Sequence, residues 1–168
     1  TKPVSGKPLT RLSNIQLVGI SITENVGSFN ATKLNLYVRA QSGTTIMLTS
    51  GLLSLWSQYC LTGLSALFQQ HPVDTVFHLD TWRGNSKMRP CFAAIRSNGV
   101  KVNDETLKEH LLDARSDRNE DQTDKLLRDA VEGIRMLLAG NAPQAVTVQV
   151  LPADTHDHCV DPEAAELF

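Results

Sequence analysis

Residues 14–40 read NIQLVGISITENVGSFNATKLNLYVRA, and this stretch decides the fold. Ile15, Leu17, Val18, Ile20 and Ile22 form a first strand that is apolar in part on both faces, as a central strand is. Val26-Gly27-Ser28 turns the chain. From 32 to 40 the residues then alternate: Leu34, Leu36, Val38 and Ala40 on one side, Lys33, Asn35, Tyr37 and Arg39 on the other. Side chains on a strand point to opposite faces in turn, so this second strand has one core face and one wet face. Two such strands joined by a turn predict an antiparallel sheet.

Downstream of that hairpin, Gln41-Ser42-Gly43 leads to a short run, 45–49, that reads either as a third strand or as the approach to a helix. A helix is expected over 50–70, with Leu52, Leu53, Leu55, Trp56, Tyr59, Cys60, Leu64, Leu67 and Phe68 on more than half of its circumference. No Lys, Arg, Asp or Glu occurs in 40–73. Because a solvated helix face normally carries charge, this helix is either packed on both sides within the domain or lies in a subunit interface. His71-Pro72 stops it, and strands are expected over 73–79 and 91–97 with a loop at 80–90 between them. Asn98-Gly99 marks a turn.

From residue 103 the period becomes helical. Asn103 or Asp104 caps a helix that turns Leu107, Leu111 and Leu112 inward, with Val102 and Leu107 placed as a staple. A second helix, 121–139, repeats Leu126, Leu127, Ala130, Val131, Ile134, Leu137 and Leu138 at helical spacing and ends at Gly140-Asn141. Val146, Val148 and Val150 predict a last strand. The expected class is therefore α+β, a largely antiparallel sheet followed by a helical pair and a final strand. The first five strands with one intervening helix resemble an OB-fold barrel in element order. Residues 1–13 read as a basic arm, 14–151 as one domain and 152–168 as an acidic tail.

Charge divides the chain after Lys101. Residues 1–101 hold ten Lys and Arg against Glu24, Asp74 and Asp80, a net of +7, while 102–168 hold six against fifteen acids, a net of −9. A positive field over one part of a small protein concentrates phosphate polyanions there. Three cysteines, Cys60, Cys91 and Cys159, without a CxxC or framework spacing, suit a reducing compartment, and the first residues lack the apolar core of a signal peptide. A cytoplasmic protein is the resulting expectation. The most apolar window, 52–68, is too short and too polar for a membrane span.

The candidate site combines the 80–90 loop with the wet face of strand two. Trp82 and Tyr37 offer stacking faces, and Lys33, Arg39, Arg83, Lys87 and Arg89 offer phosphate partners, the two requirements of a single-strand binding surface. The expected function is a non-catalytic protein that binds nucleic acid. A second reading is an oligomeric subunit or adaptor that docks through the uncharged helix 50–70 and the acidic C-terminal part. A third is a hydrolase-type enzyme in which His78, beside Asp80, faces Cys91 across the hairpin as base and nucleophile. No Gly-rich phosphate loop, nucleophile elbow, HExxH or dinucleotide fingerprint occurs, and neither a cofactor nor a metal is expected. His156, His158 and Cys159 among Asp154, Asp157 and Asp161 match no closed zinc spacing. The acidic tail ending Glu166-Leu167-Phe168 resembles in outline that of single-stranded-DNA binding proteins, which implies recruitment of a protein partner.

Overall fold

Alternating burial along the first hairpin separates the two faces of the sheet. In the computed structural model, which describes residues 11–84, 87–88, 90–140 and 148–150, Leu34, Leu36 and Val38 are buried whereas Lys33, Tyr37 and Arg39 are half-buried. The elements in chain order are β1 (Arg11–Val26), β2 (Ala31–Arg39), β3 (Thr45–Gly51), α1 (Leu55–Gln70), β4 (Phe77–Arg83), β5 (Cys91–Ser97), β6 (Val100–Lys101), α2 (Glu105–Ser116), α3 (Glu120–Ala139) and β7 (Val148–Val150). The fold is α+β. Strands run in the order β6-β5-β4-β1-β2-β3-β7, antiparallel except where β7 lies parallel to β3.

β1 is the longest strand and joins two half-sheets. Its first part, Arg11 to Ile15, pairs with β4, and its remainder, from Gln16, pairs with β2. Register shifts fall between Leu12 and Ile15 and between Leu17 and Gly19, and Asn14 has a φ of 53°. Such bulges bend a strand, which lets one strand serve both halves. The barrel suggested by the element order is not closed: β3 pairs with β2 and β7, and β5 with β4 and β6.

Helix α1 is enclosed. It packs against β5, α3, α2 and β3, and every residue from Trp56 to Leu64 is buried, as are Ala66, Leu67 and Phe68. Its polar residues survive burial because each is hydrogen-bonded. Ser57 Oγ donates to the Gly51 carbonyl at 2.6 Å, Thr62 Oγ1 to the Gln58 carbonyl at 2.7 Å, and Gln58 Nε2 to the Leu53 carbonyl at 3.0 Å. Arg115 Nη2 in α2 donates to Gln58 Oε1 at 2.9 Å. The missing charge is therefore a core signature, in keeping with the reading that packs this helix on both sides within the domain rather than with the alternative of a subunit interface.

Several boundaries also move. The helix begins at Leu55, capped by Ser54, because Thr45–Gly51 is committed to pairing with β2. Residues 11–13 belong to β1 rather than to an arm. Thr75 N bonds the Pro72 carbonyl in a turn, so β4 starts at Phe77 and extends through Arg83. The connection to β5 is accordingly 84–90, and Asp80, Trp82 and Arg83 are strand residues. Residues 1–10 and the 152–168 tail lie outside the described residues, as do Val146, the 154–161 metal-ligand side chains and the terminal Leu167 and Phe168.

Candidate nucleic-acid interface

The β1–β2–β3 ladder assembles a row of polar side chains on the face turned away from the helices. On β2 this row is Lys33, Asn35, Tyr37 and Arg39, and their cross-strand neighbours are Thr23, Ser21, Gly19 and Gln16 on β1 and Gly51, Thr49, Met47 and Thr45 on β3. Lys33 and Arg39, six residues apart, stand about 20 Å from each other along the strand. Asn35 Nδ2 donates to Thr23 Oγ1 at 2.8 Å and Ser21 Oγ at 3.2 Å, which ties the row to β1. Tyr37 rests over Gly19, where an added β-carbon would lie 3.2 Å from Tyr37 Cδ2. The absent side chain seats the ring on the sheet.

The charged side chains of this row are both cationic. Neither Lys33 nor Arg39 makes an ion pair among the described residues, and no carboxylate stands in the row or at its cross-strand neighbours. Glu24 is drawn the other way, accepting from Arg128 of α3 and from Thr32 Oγ1 at 3.0 Å, and these bonds hold its carboxyl below the usual range. Asp74 is held near the Arg39 end, where Gln16 Nε2 donates to its carbonyl at 2.7 Å.

The remaining members of the expected site do not join this row. Trp82 is only 5 % exposed, stacked on its cross-strand partner Phe92 with centroids 6.3 Å apart and planes at 23°. Phe92 in turn meets Tyr59 of α1 at 5.3 Å. Its expected role as a stacking face is therefore corrected, because an indole committed to internal rings has no face left for a base. Arg83 closes the β4–β5 ladder opposite Cys91, and Lys87 is exposed in the connection. Arg39 is level with Gln16 on β1, while Arg83 lies three residues beyond Asp80, the partner of Arg11, so about 25 Å of strand separates the two. Arg89 lies outside the described residues.

Two further cations that the charge count credits to the basic part are already used. Arg11 Nη2 donates to Asp80 Oδ2 at 2.8 Å, its Nε to Oδ1, and Arg96 Nε to Oδ2 at 2.9 Å. These bonds, Arg11's foremost, hold the Asp80 carboxyl below its ordinary value against the opposing effect of burial. A depressed folded value means that the carboxylate stabilises the fold above the ordinary carboxylate range and loses that contribution as pH falls through the folded value. Asp80→Asn is expected to cost about 1–2 kcal/mol at pH 7, allowing for the solvent that screens Arg11. Urea titrations of both proteins at pH 7 and pH 3 should show the gap shrinking in acid.

The hydrolase reading is corrected by the same ladder. His78 lies opposite Arg96 and Cys91 opposite Arg83, at the two ends of the β4–β5 pairing, and His78 Nδ1 accepts from the Asn14 amide at 3.3 Å. Cys91 is disulfide-bonded and offers no thiolate. Cys60 is free but fully buried, and desolvation pushes its thiol well up. Among the described residues no group of His, Cys, Asp or Glu is placed to hold a metal ion, and no helix is long and apolar enough to cross a membrane.

What the sequence reading overlooked is the tip of the first hairpin. Phe29 sits in the Gly27 to Asn30 turn, 93 % exposed, at the end of β2 nearest Lys33. The available signal was composition, since turns favour Gly, Asn, Asp, Ser and Pro and have no structural use for a phenyl ring. No family model matches the chain, and neither the curated proteins nor the solved structures contain a significant match.

Proposed function

We propose that this protein binds single-stranded nucleic acid through the outer face of β1, β2 and β3. The observation that carries the reading is the pairing state of the row: among the described residues Lys33 and Arg39 make no ion pair and none of their cross-strand neighbours is a carboxylate, with Tyr37 between them along β2. In this role the two cations neutralise phosphates and Tyr37 stacks on a base. The hydroxyls of Ser21, Thr23 and Thr49 supply hydrogen bonds to phosphate or sugar. Trp82, sunk among internal rings, takes no part, and Arg83 stands apart from the row. The rival reading as an assembly subunit retains the charge division but loses the apolar contact that α1 was to provide. The disulfide at Cys91 removes the cysteine argument for a reducing compartment.

Fluorescence anisotropy with labelled oligo-dT and oligo-U over a range of salt tests the proposal. Affinity is expected to fall steeply with salt. In the double variant Lys33→Gln, Arg39→Gln, the slope of log K against log salt should flatten by about 1.4, two phosphates at about 0.7 each for a single strand. Failure of the unmodified protein to bind either oligonucleotide at low salt, or an unchanged slope in the double variant, would remove the reading.

A further inference from the structure

The exposed ring of Phe29 stands on an ordered support. Asn30 N donates to the Gly27 carbonyl at 3.2 Å, closing a turn with Ser28 and Phe29 at its centre, and Asn25, Gly27 and Asn30 all have φ between 50° and 72°. Asn and Gly are the residues that adopt this left-handed backbone most readily, so the tip is built for its shape. Below it, Glu24 is clamped by Arg128 from α3 and by Thr32. Only Val26 beside it shares the apolar exposure, at 37 %.

A phenyl ring left in water on an ordered turn forgoes the free energy that burying so large an apolar surface releases, so its position invites a partner. The neighbouring charge indicates which. Val26 pairs with Ala31, and two residues further along β2 comes Lys33, the first cation of the carboxylate-free row. We infer that Phe29 is a base-stacking contact that extends the row of Arg39, Tyr37 and Lys33 beyond the end of β2. A single strand then runs lengthwise along the hairpin, alternating phosphate contacts with two aromatic platforms. Its occupant is a base of a single-stranded nucleic acid, chosen over a lipid surface because two apolar residues make a small anchor while the flanking charges form a linear track. The inference rests on the proposed function and adds to it a residue, a direction of travel and a requirement for bases.

Phe29→Trp provides a direct reporter, because the native Trp56 and Trp82 are both buried and the new indole would be the exposed one. Oligo-dT is expected to quench it, and an abasic oligomer of equal length and charge is not. Phe29→Ala should weaken oligo-dT binding by about 5- to 150-fold, the range for loss of one stacked base, with an unchanged salt slope. If Phe29→Ala binds like the unmodified protein while Lys33→Gln, Arg39→Gln still loses affinity, the tip has no stacking role and the proposed function stands. If the unmodified protein binds no oligonucleotide, both fall together. A blue shift of the Phe29→Trp variant's emission on anionic phosphatidylserine vesicles, without quenching by oligo-dT, would assign the tip to a lipid surface and overturn the inference.

Discussion

Trp82→Ala is expected to destabilise the protein by about 3–5 kcal/mol while leaving the oligonucleotide affinity of the folded molecule unchanged. The indole is 5 % exposed and completes a chain of rings with Phe92 and Tyr59 that links β4 through β5 to the enclosed helix α1. Truncation removes the transfer free energy of the ring and leaves a cavity between elements that cannot collapse independently. Trp82→Phe separates packing from polarity. The indole Nε1 is buried without a hydrogen-bond partner, a state that costs free energy in the native protein, so a phenyl ring gives up volume but relieves that cost. The phenylalanine variant should therefore lose much less than the alanine variant, about 1–2 kcal/mol. Urea denaturation followed by circular dichroism measures both, and anisotropy on the same samples reads binding. An alanine variant with an unaltered midpoint and lost oligonucleotide affinity would return the indole to the interface.

Why Trp82 was misplaced illustrates which parts of this fold are legible in the letters. The 32–40 alternation, the Asn98-Gly99 turn, the Asp104 cap and the apolar stripe of α3 are local patterns, and each is where its pattern puts it, except that Leu137 at the end of the stripe is exposed. The stretch 45–70 is uncharged throughout, so periodicity alone cannot divide it into a strand that pairs with β2 and a helix capped at Ser54. Val73 resembles the start of a strand but belongs to the loop before β4, and that shift of four residues turned Asp80, Trp82 and Arg83 from strand into apparent loop. The site was harder still. Counting cations by type does not say which are free, and the contacts that consume Arg11 and Arg96 reach Asp80 across 69 and 16 residues. Lys33, Tyr37 and Arg39 stand in one row because one strand carries all three, and the 32–40 alternation marks that strand.

Gly63→Val is expected to cost about 3 kcal/mol, the second large loss, and it tests the packing that encloses α1. A β-carbon at Gly63 would sit 2.5 Å from Ile95 Cγ1 and 2.6 Å from Ile95 Cβ, closer than packed carbons allow. Helix propensity argues the opposite way, since glycine in a helix interior is worse than valine by a few tenths of a kcal/mol. The sign of the effect is therefore diagnostic: a stabilised variant would mean that α1 does not lie this tightly on β5. Neither partner can retreat, because α1 is held from its other sides by α2, α3 and β3, and β5 is fixed between β4 and β6. Ile95→Ala by itself should also destabilise, by about 2–4 kcal/mol, through the cavity it leaves. Combined with Gly63→Val, it opens space for the new methyls, so the double variant should be more stable than the sum of the two losses predicts by about 1–2 kcal/mol. Chemical denaturation of the four proteins closes this cycle, and simple additivity would show that the two residues do not touch. If the contact holds, the glycine is what lets a helix whose polar residues are all uncharged approach β5 closely enough to be sealed within the domain.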